Sequence, residues 1–94
     1  MDFKSYESAA EVVKAMAHPM RLCILAGLKD KPQSSVTCMQ ECLGVPQSTL
    51  SQQLAILRRA GLIIADRKGK IVEYRLENEN IKQIIDILTR EGLI

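Results

Sequence analysis

The run from Gln47 to Gln53 offers six amide and hydroxyl side chains, Gln47, Ser48, Thr49, Ser51, Gln52 and Gln53, and no charge. Groups of this kind hydrogen-bond to base edges at low desolvation cost: glutamine can bond adenine twice, and hydroxyls take a phosphate or a base of either kind. A merely solvated helix face carries Glu and Lys instead, so the missing charge points to DNA reading. A second cluster follows. Between Arg58 and Lys70 stand five basic residues, Arg58, Arg59, Arg67, Lys68 and Lys70, against one acid, Asp66. Such a density of cations suits a phosphate backbone, which positions a protein on DNA without specifying sequence. The plain alternative is a charged turn that keeps an edge strand from pairing. From Glu73 to Ile94 five acids face three bases, so the net charge of +2 conceals a basic middle and an acidic end.

The thiols form a third group. Cys38 and Cys42 are four apart and share one helix edge, away from Met39 and Leu43. With Cys38 at the first helical position, beside the positive end of the helix dipole, the pair is a candidate sensor of oxidants or electrophiles. A disulfide between them is hindered, because Cβ atoms at this helical spacing lie about 5 to 6 Å apart and a disulfide wants ~3.5 to 4.5 Å. Oxidation would therefore distort the helix. The competing reading is two small unreactive residues. Cys23 is expected to pack as a small apolar group in the second helix. A thiolate site joining this pair to Cys23 or His18 matches no recognised finger spacing, so neither metal nor cofactor is expected. One histidine and scattered carboxylates supply no activated nucleophile and no acid–base pair, which argues against an enzyme.

These groups need elements to hold them. At 94 residues the chain is read as one domain, residues 1–94, with room for a single core. Ser5 is expected to cap a first helix, about 5–17, with Tyr6, Ala9, Ala10, Val13, Met16 and Ala17 at three- and four-residue steps, and His18-Pro19 stops it. Pro19 suits the first turn of a second helix running to about Lys29, lined by Leu22, Leu25, Ala26 and Leu28. Gln33 to Thr37 reads as a polar connection, and Thr37 with Gln40 as a capping box opening a short third helix that Gly44 closes. Leu50, Leu54 and Leu57 face the core from a fourth helix ending at Gly61. Short helix, tight turn and longer helix with a polar outer face make a helix-turn-helix, about 37–60. Leu62-Ile63-Ile64 and Ile71 to Leu76 are β-formers joined by the basic Asp66 to Lys70 segment, which predicts a hairpin of about 63–76. Asn78 or Asn80 caps a last helix, about 79–91, whose stripe of Ile81, Ile84, Ile85 and Leu88 exceeds what one small core needs. Shared with Tyr6 and Val13 across a two-fold axis, it makes a homodimer seam.

The runs Ala15 to Leu22, Pro46 to Leu54, Leu57 to Leu62 and Lys70 to Leu76 together resemble the ArsR/SmtB family of winged helix-turn-helix repressors, over nearly the whole chain. The resemblance implies a homodimer built from the first and last helices, a recognition helix starting near Gln47 and a wing from about Ile63 to Leu76. It also implies an inverted-repeat operator near a promoter, held until a signal weakens binding. The departures matter as much. Many members bind metal through a cysteine pair in the third helix, and alignment on Gln47 to Ser51 puts Ser35 and Thr37 where those thiolates would stand. A second family site uses Asp and His from the last helix, and residues 80–94 contain no histidine. A histidine typical of the recognition helix is here Gln53.

The expected fold is mainly α with a small β-hairpin, an α+β winged helix-turn-helix with four helices, two strands and a fifth helix in chain order. The expected function is a dimeric, sequence-specific DNA-binding repressor, released from its operator by modification of Cys38 and Cys42. Its DNA contacts would come from Gln47, Ser48, Thr49, Ser51, Gln52, Gln53, Arg58, Arg67, Lys68 and Lys70. Its partners are double-stranded operator DNA and a second copy of the chain. No apolar run approaches the ~20 residues of a membrane span and the N-terminus lacks signal-peptide order, so no membrane partner and a cytoplasmic address are expected. Two alternatives remain open at this point: a winged helix that binds another protein, and a DNA-binding repressor with no ligand sensing.

Overall fold

Proline at position 19 cannot continue a helix through its own nitrogen, and the chain turns there from one helix into the next. In the computed structural model, which describes residues 2–94, α1 spans Phe3–Met16 and α2 spans Pro19–Asp30. His18 is the cap of α2, its Nδ1 accepting the Met20 N–H at 3.1 Å. α1 starts earlier than expected. Asp2, not Ser5, is its cap: one carboxylate oxygen accepts the Lys4 N–H at 3.1 Å while the Ser5 hydroxyl donates to the other at 3.0 Å. Asp caps as well as Ser does, and here it also gains that hydroxyl.

The segment expected to be a plain polar connection carries a two-residue strand, β1 (Ser34–Ser35), followed by α3 (Val36–Leu43). Ser35 caps α3, its Oγ accepting the Cys38 N–H at 3.2 Å. Thr37 is thus inside the helix rather than at its cap, and Cys38 is its third residue rather than its first. Gly44, at φ +67°, ends α3 in the left-handed conformation that a side chain would disfavour. α4 (Gln47–Arg59) follows, then β2 (Ile63–Lys68), β3 (Ile71–Leu76) and α5 (Glu79–Arg90), which Asn78 caps through Ile81 and Asn80 amides.

The sheet is antiparallel with order β1-β3-β2, so the order expected from sequence gains one strand. β2 reaches Lys68, further than its apolar residues predict, because the ladder pairs Asp66 with Glu73, Arg67 with Val72 and Lys68 with Ile71. Only Gly69 and Lys70 remain as the loop, with Gly69 at φ +65°. The core is built from Ile24, Leu25 and Leu28 of α2, Met39 of α3, Leu50, Leu54 and Leu57 of α4, Leu62 and Ile63, and Ile81 and Ile85 of α5. Ala15 and Met16 close it from the end of α1, whose earlier residues all stand exposed. The core stripe of α2 turns Cys23 to the surface, which corrects the expectation that it packs inside.

α5 returns to α2 and is fastened there by Lys29 Nζ to Asp86 Oδ1 at 2.6 Å. The hydrogen bond to Lys29 holds the Asp86 carboxyl below its ordinary value of 3.8, and the same bond raises Lys29 above 10.5. The carboxylate's contribution is therefore complete above its ordinary value and is lost as pH falls through the lowered one. The ammonium's contribution is complete below 10.5 and is lost as pH rises through the raised value. Asp86→Asn should remove both limbs, so urea midpoints of the variant should vary less than the parent's in acid and in strong base. Identical pH profiles would show that the pair adds nothing to stability.

Candidate nucleic-acid interface

Three leucines set the rotation of α4. Leu50, Leu54 and Leu57 are completely buried, each burial contributing about 1.5 to 3 kcal/mol, and this fixes which side chains of the helix point outward. Gln47, Ser48, Ser51 and Gln52 are exposed on that outer face, with Thr49 half-buried beside them. Pro46 precedes the helix and provides no side-chain acceptor for its first-turn N–H groups, which leaves the positive end of the dipole open to an anion. At the other end Arg58 and Arg59 are exposed in the last turn, where they also offset the negative end of the dipole.

Gln53 stands apart from its neighbours. The Arg21 guanidinium of α2 donates through Nη1 to Gln53 Oε1 at 2.8 Å and through Nε to the Ala15 carbonyl at 2.6 Å. Gln53 is half-buried and its carbonyl oxygen already accepts from Arg21, so its NH₂ group is the part of the amide with no side-chain partner among the described residues. Arg21 links the end of α1 to the middle of α4. Sequence reasoning missed this role, because a partner 32 positions away leaves no local pattern.

The hairpin sorts its cations. Arg75 donates to Asp66 at 2.8 Å and Lys68 pairs with Glu73 at 3.2 Å, both across the β2–β3 ladder. Lys68 is therefore shared with a carboxylate. Arg67 and Lys70 are exposed and, among the described residues, make no ion pair, so the tip presents two unneutralised charges.

Of the thiols named from sequence, Cys38 is half-buried and Cys42 exposed, and neither is in a disulfide. Ser35, which the resemblance sets where a metal-binding thiolate would stand, has its oxygen engaged as the α3 cap. Among the described residues no three His, Cys, Asp or Glu side chains are placed to hold one metal ion. The expected dimer residues divide. Tyr6 and Val13 are 57% and 62% exposed and Ile84 is 43% exposed, whereas Ile81 and Ile85 are buried in the chain's own core and cannot face a partner. Leu88 is half-buried. Phe3, Ile87, Leu93 and Ile94 are exposed apolar residues that the sequence reading left out of this surface.

Residues 16–64, from the end of α1 through the start of β2, match the family model described as a helix-turn-helix domain. The chain is 36% identical over 86 residues to the HTH-type transcriptional regulator NmtR of Mycobacterium tuberculosis, covering 92% of this chain and 71% of that protein. It is 35% identical over 79 residues to the repressor SmtB of the same species, covering 84% of this chain and 58% of that protein. With the transcriptional repressor PagR of Bacillus anthracis it shares 36% identity over 88 residues, covering 94% of this chain and 88% of that protein. The chain belongs to the ArsR/SmtB family. The crystal structure of PagR matches with a TM-score of 0.83 and 37% identity, covering 93% of this chain and 99% of that one. As an ArsR/SmtB member it is a transcriptional regulator with a DNA-binding winged helix-turn-helix, and not an enzyme. No described helix is long and apolar enough to cross a membrane.

Ser48→Ala with Gln52→Ala removes two exposed polar groups without touching the core. Discrimination between a preferred DNA site and its single-base variants should fall by about 1 to 3 kcal/mol per lost bidentate contact, read by competition binding. Unchanged ranking of the variants would remove these residues from base reading.

Proposed function

We propose that the chain is a dimeric repressor that reads an inverted-repeat operator with two copies of α4, set in successive major grooves about 34 to 36 Å apart. The observation that carries this reading is the uncharged, outward face of α4 on a chain that also carries unpaired cations at the wing tip. Gln47, Ser48, Thr49, Ser51 and Gln52 read bases, Gln53 contributes through its free NH₂, and Arg58, Arg67 and Lys70 hold the backbone, with Lys68 assisting. A partner of this kind places the protein in the cytoplasm.

Dimer formation rests on exposed apolar residues at two places, α1 (Phe3, Tyr6, Val13) and α5 with the chain end (Ile84, Ile87, Leu93, Ile94). Apolar exposure at two places on so small a chain is relieved by a second copy. Cys38 and Cys42 are the release point: α3 is joined to α4 through residues 44–46 alone, so modification that distorts α3 moves the reading helix.

Titration of the protein against DNA from its own promoter region, by fluorescence anisotropy at several salt concentrations, tests the central reading. Affinity should fall steeply with salt, and Arg67→Ala should weaken all sequences alike and flatten the log–log slope by about one. No binding at low salt would transfer the helix face to a protein partner. Ile84→Glu with Ile87→Glu alters only exposed positions and should yield folded monomers by light scattering; a persistent dimer would place the seam elsewhere.

A further inference from the structure

All three cysteines of the chain line one cavity of about 220 Å³ between α2 and α3. Cys23 and Gly27 come from one stripe of α2, and Cys38, Met39, Cys42 and Leu43 from α3. The space exists because α3 packs against α4, β1 and β3 and leaves its other side standing off α2. Gly27 puts no side chain into it. That glycine lies inside a helix without positive φ, and a Cβ added to it would meet nothing within 4 Å. Neither backbone conformation nor a close neighbour requires it, although a mid-helix glycine is disfavoured against alanine.

The lining selects the occupant. Apart from Asp30, Lys31 and Ser34 it is apolar or thiol, so it favours an uncharged organic molecule over a small polar oxidant. An apolar cavity of about 150 Å³ is known to hold benzene, so this one has room for a single substituted ring. The thiols do not converge on one point, as a metal ion would demand; they are spread along two walls, as an extended reactive molecule would meet them.

We propose that this groove captures an apolar, ring-sized α,β-unsaturated carbonyl compound, and that a lining cysteine adds to it. The sulfur forms a bond to the β-carbon, the C=C π pair moves toward the carbonyl, and the proton lost by the thiol ends on the resulting enolate. No group leaves and no outside oxidant or reductant takes part. The adduct fills the space between α2 and α3 and displaces the helix that leads into α4. Its effect on DNA rests on the thiol-release reading above; the capture itself does not.

The full-length protein is treated with 2-methyl-1,4-benzoquinone, and adducts are followed by intact mass and peptide mapping, with iodoacetamide as a small polar control. The quinone rate should saturate with concentration and map to Cys23, Cys38 or Cys42. Gly27→Leu fills the groove from an exposed helical site. It should slow the quinone about tenfold, the equivalent of roughly 1.4 kcal/mol of lost contact, and leave the iodoacetamide rate nearly unchanged. Leu43→Phe fills the groove from the opposite wall and gives the same reading if the first variant does not fold. A rate linear in quinone and equal in parent and filled variants overturns the proposal. Saturable, groove-dependent addition that leaves operator affinity unchanged sustains the capture and overturns thiol release instead.

Discussion

The burial of Leu50, Leu54 and Leu57 is the constraint on which the rest of this regulator depends. A helix that buries one stripe completely has no rotational freedom, and every other residue on it acquires an address. Gln47, Ser48, Ser51 and Gln52 are outward because those leucines are inward. The same packing carries α3, β2 and α2 against α4, so the polar face is presented by a packed helix rather than by a loop.

Around that body the polar contacts divide labour between holding and presenting. Arg21 holds: its two bonds, to Ala15 at the end of α1 and to Gln53 on α4, connect the helix expected at the dimer seam with the helix expected in the groove. Asp66 and Glu73 also hold, each taking a cation of the hairpin across the ladder. Arg67 and Lys70 present, since nothing among the described residues neutralises them. A wing built this way keeps its strands in register with two of its four cations and leaves the other two exposed.

α5 shows how a small domain divides one amphipathic helix between two tasks. Ile81 and Ile85 complete the core, and Lys29 with Asp86 fastens the helix to α2, so the outer residues Ile84 and Ile87 remain as a separate apolar surface. The stripe read from sequence as one seam is two faces about 100° apart on a helix of 3.6 residues per turn.

Local patterning determined most of the architecture. Periodic leucines and isoleucines, Pro19, Gly44, Gly61 and the β-branched runs on either side of Gly69 were enough to place five helices, the hairpin and the polar face of α4, because each of those signals acts within a few residues of itself. Cap choice was less legible: Asp2 and Ser35 compete with Ser5 and Thr37 on nearly equal chemical terms, and the surrounding chain decides among them. What required tertiary structure were the pairings between distant residues. β1 has no strand-forming composition and exists only because β3 offers it an edge. Gln53 looks like its neighbours until Arg21 reaches it. Ile85 and Ile84 are the same residue type, one turned to the core and one to solvent. The three cysteines share a groove only because α2 and α3, separated in the chain by β1, leave a cavity between them.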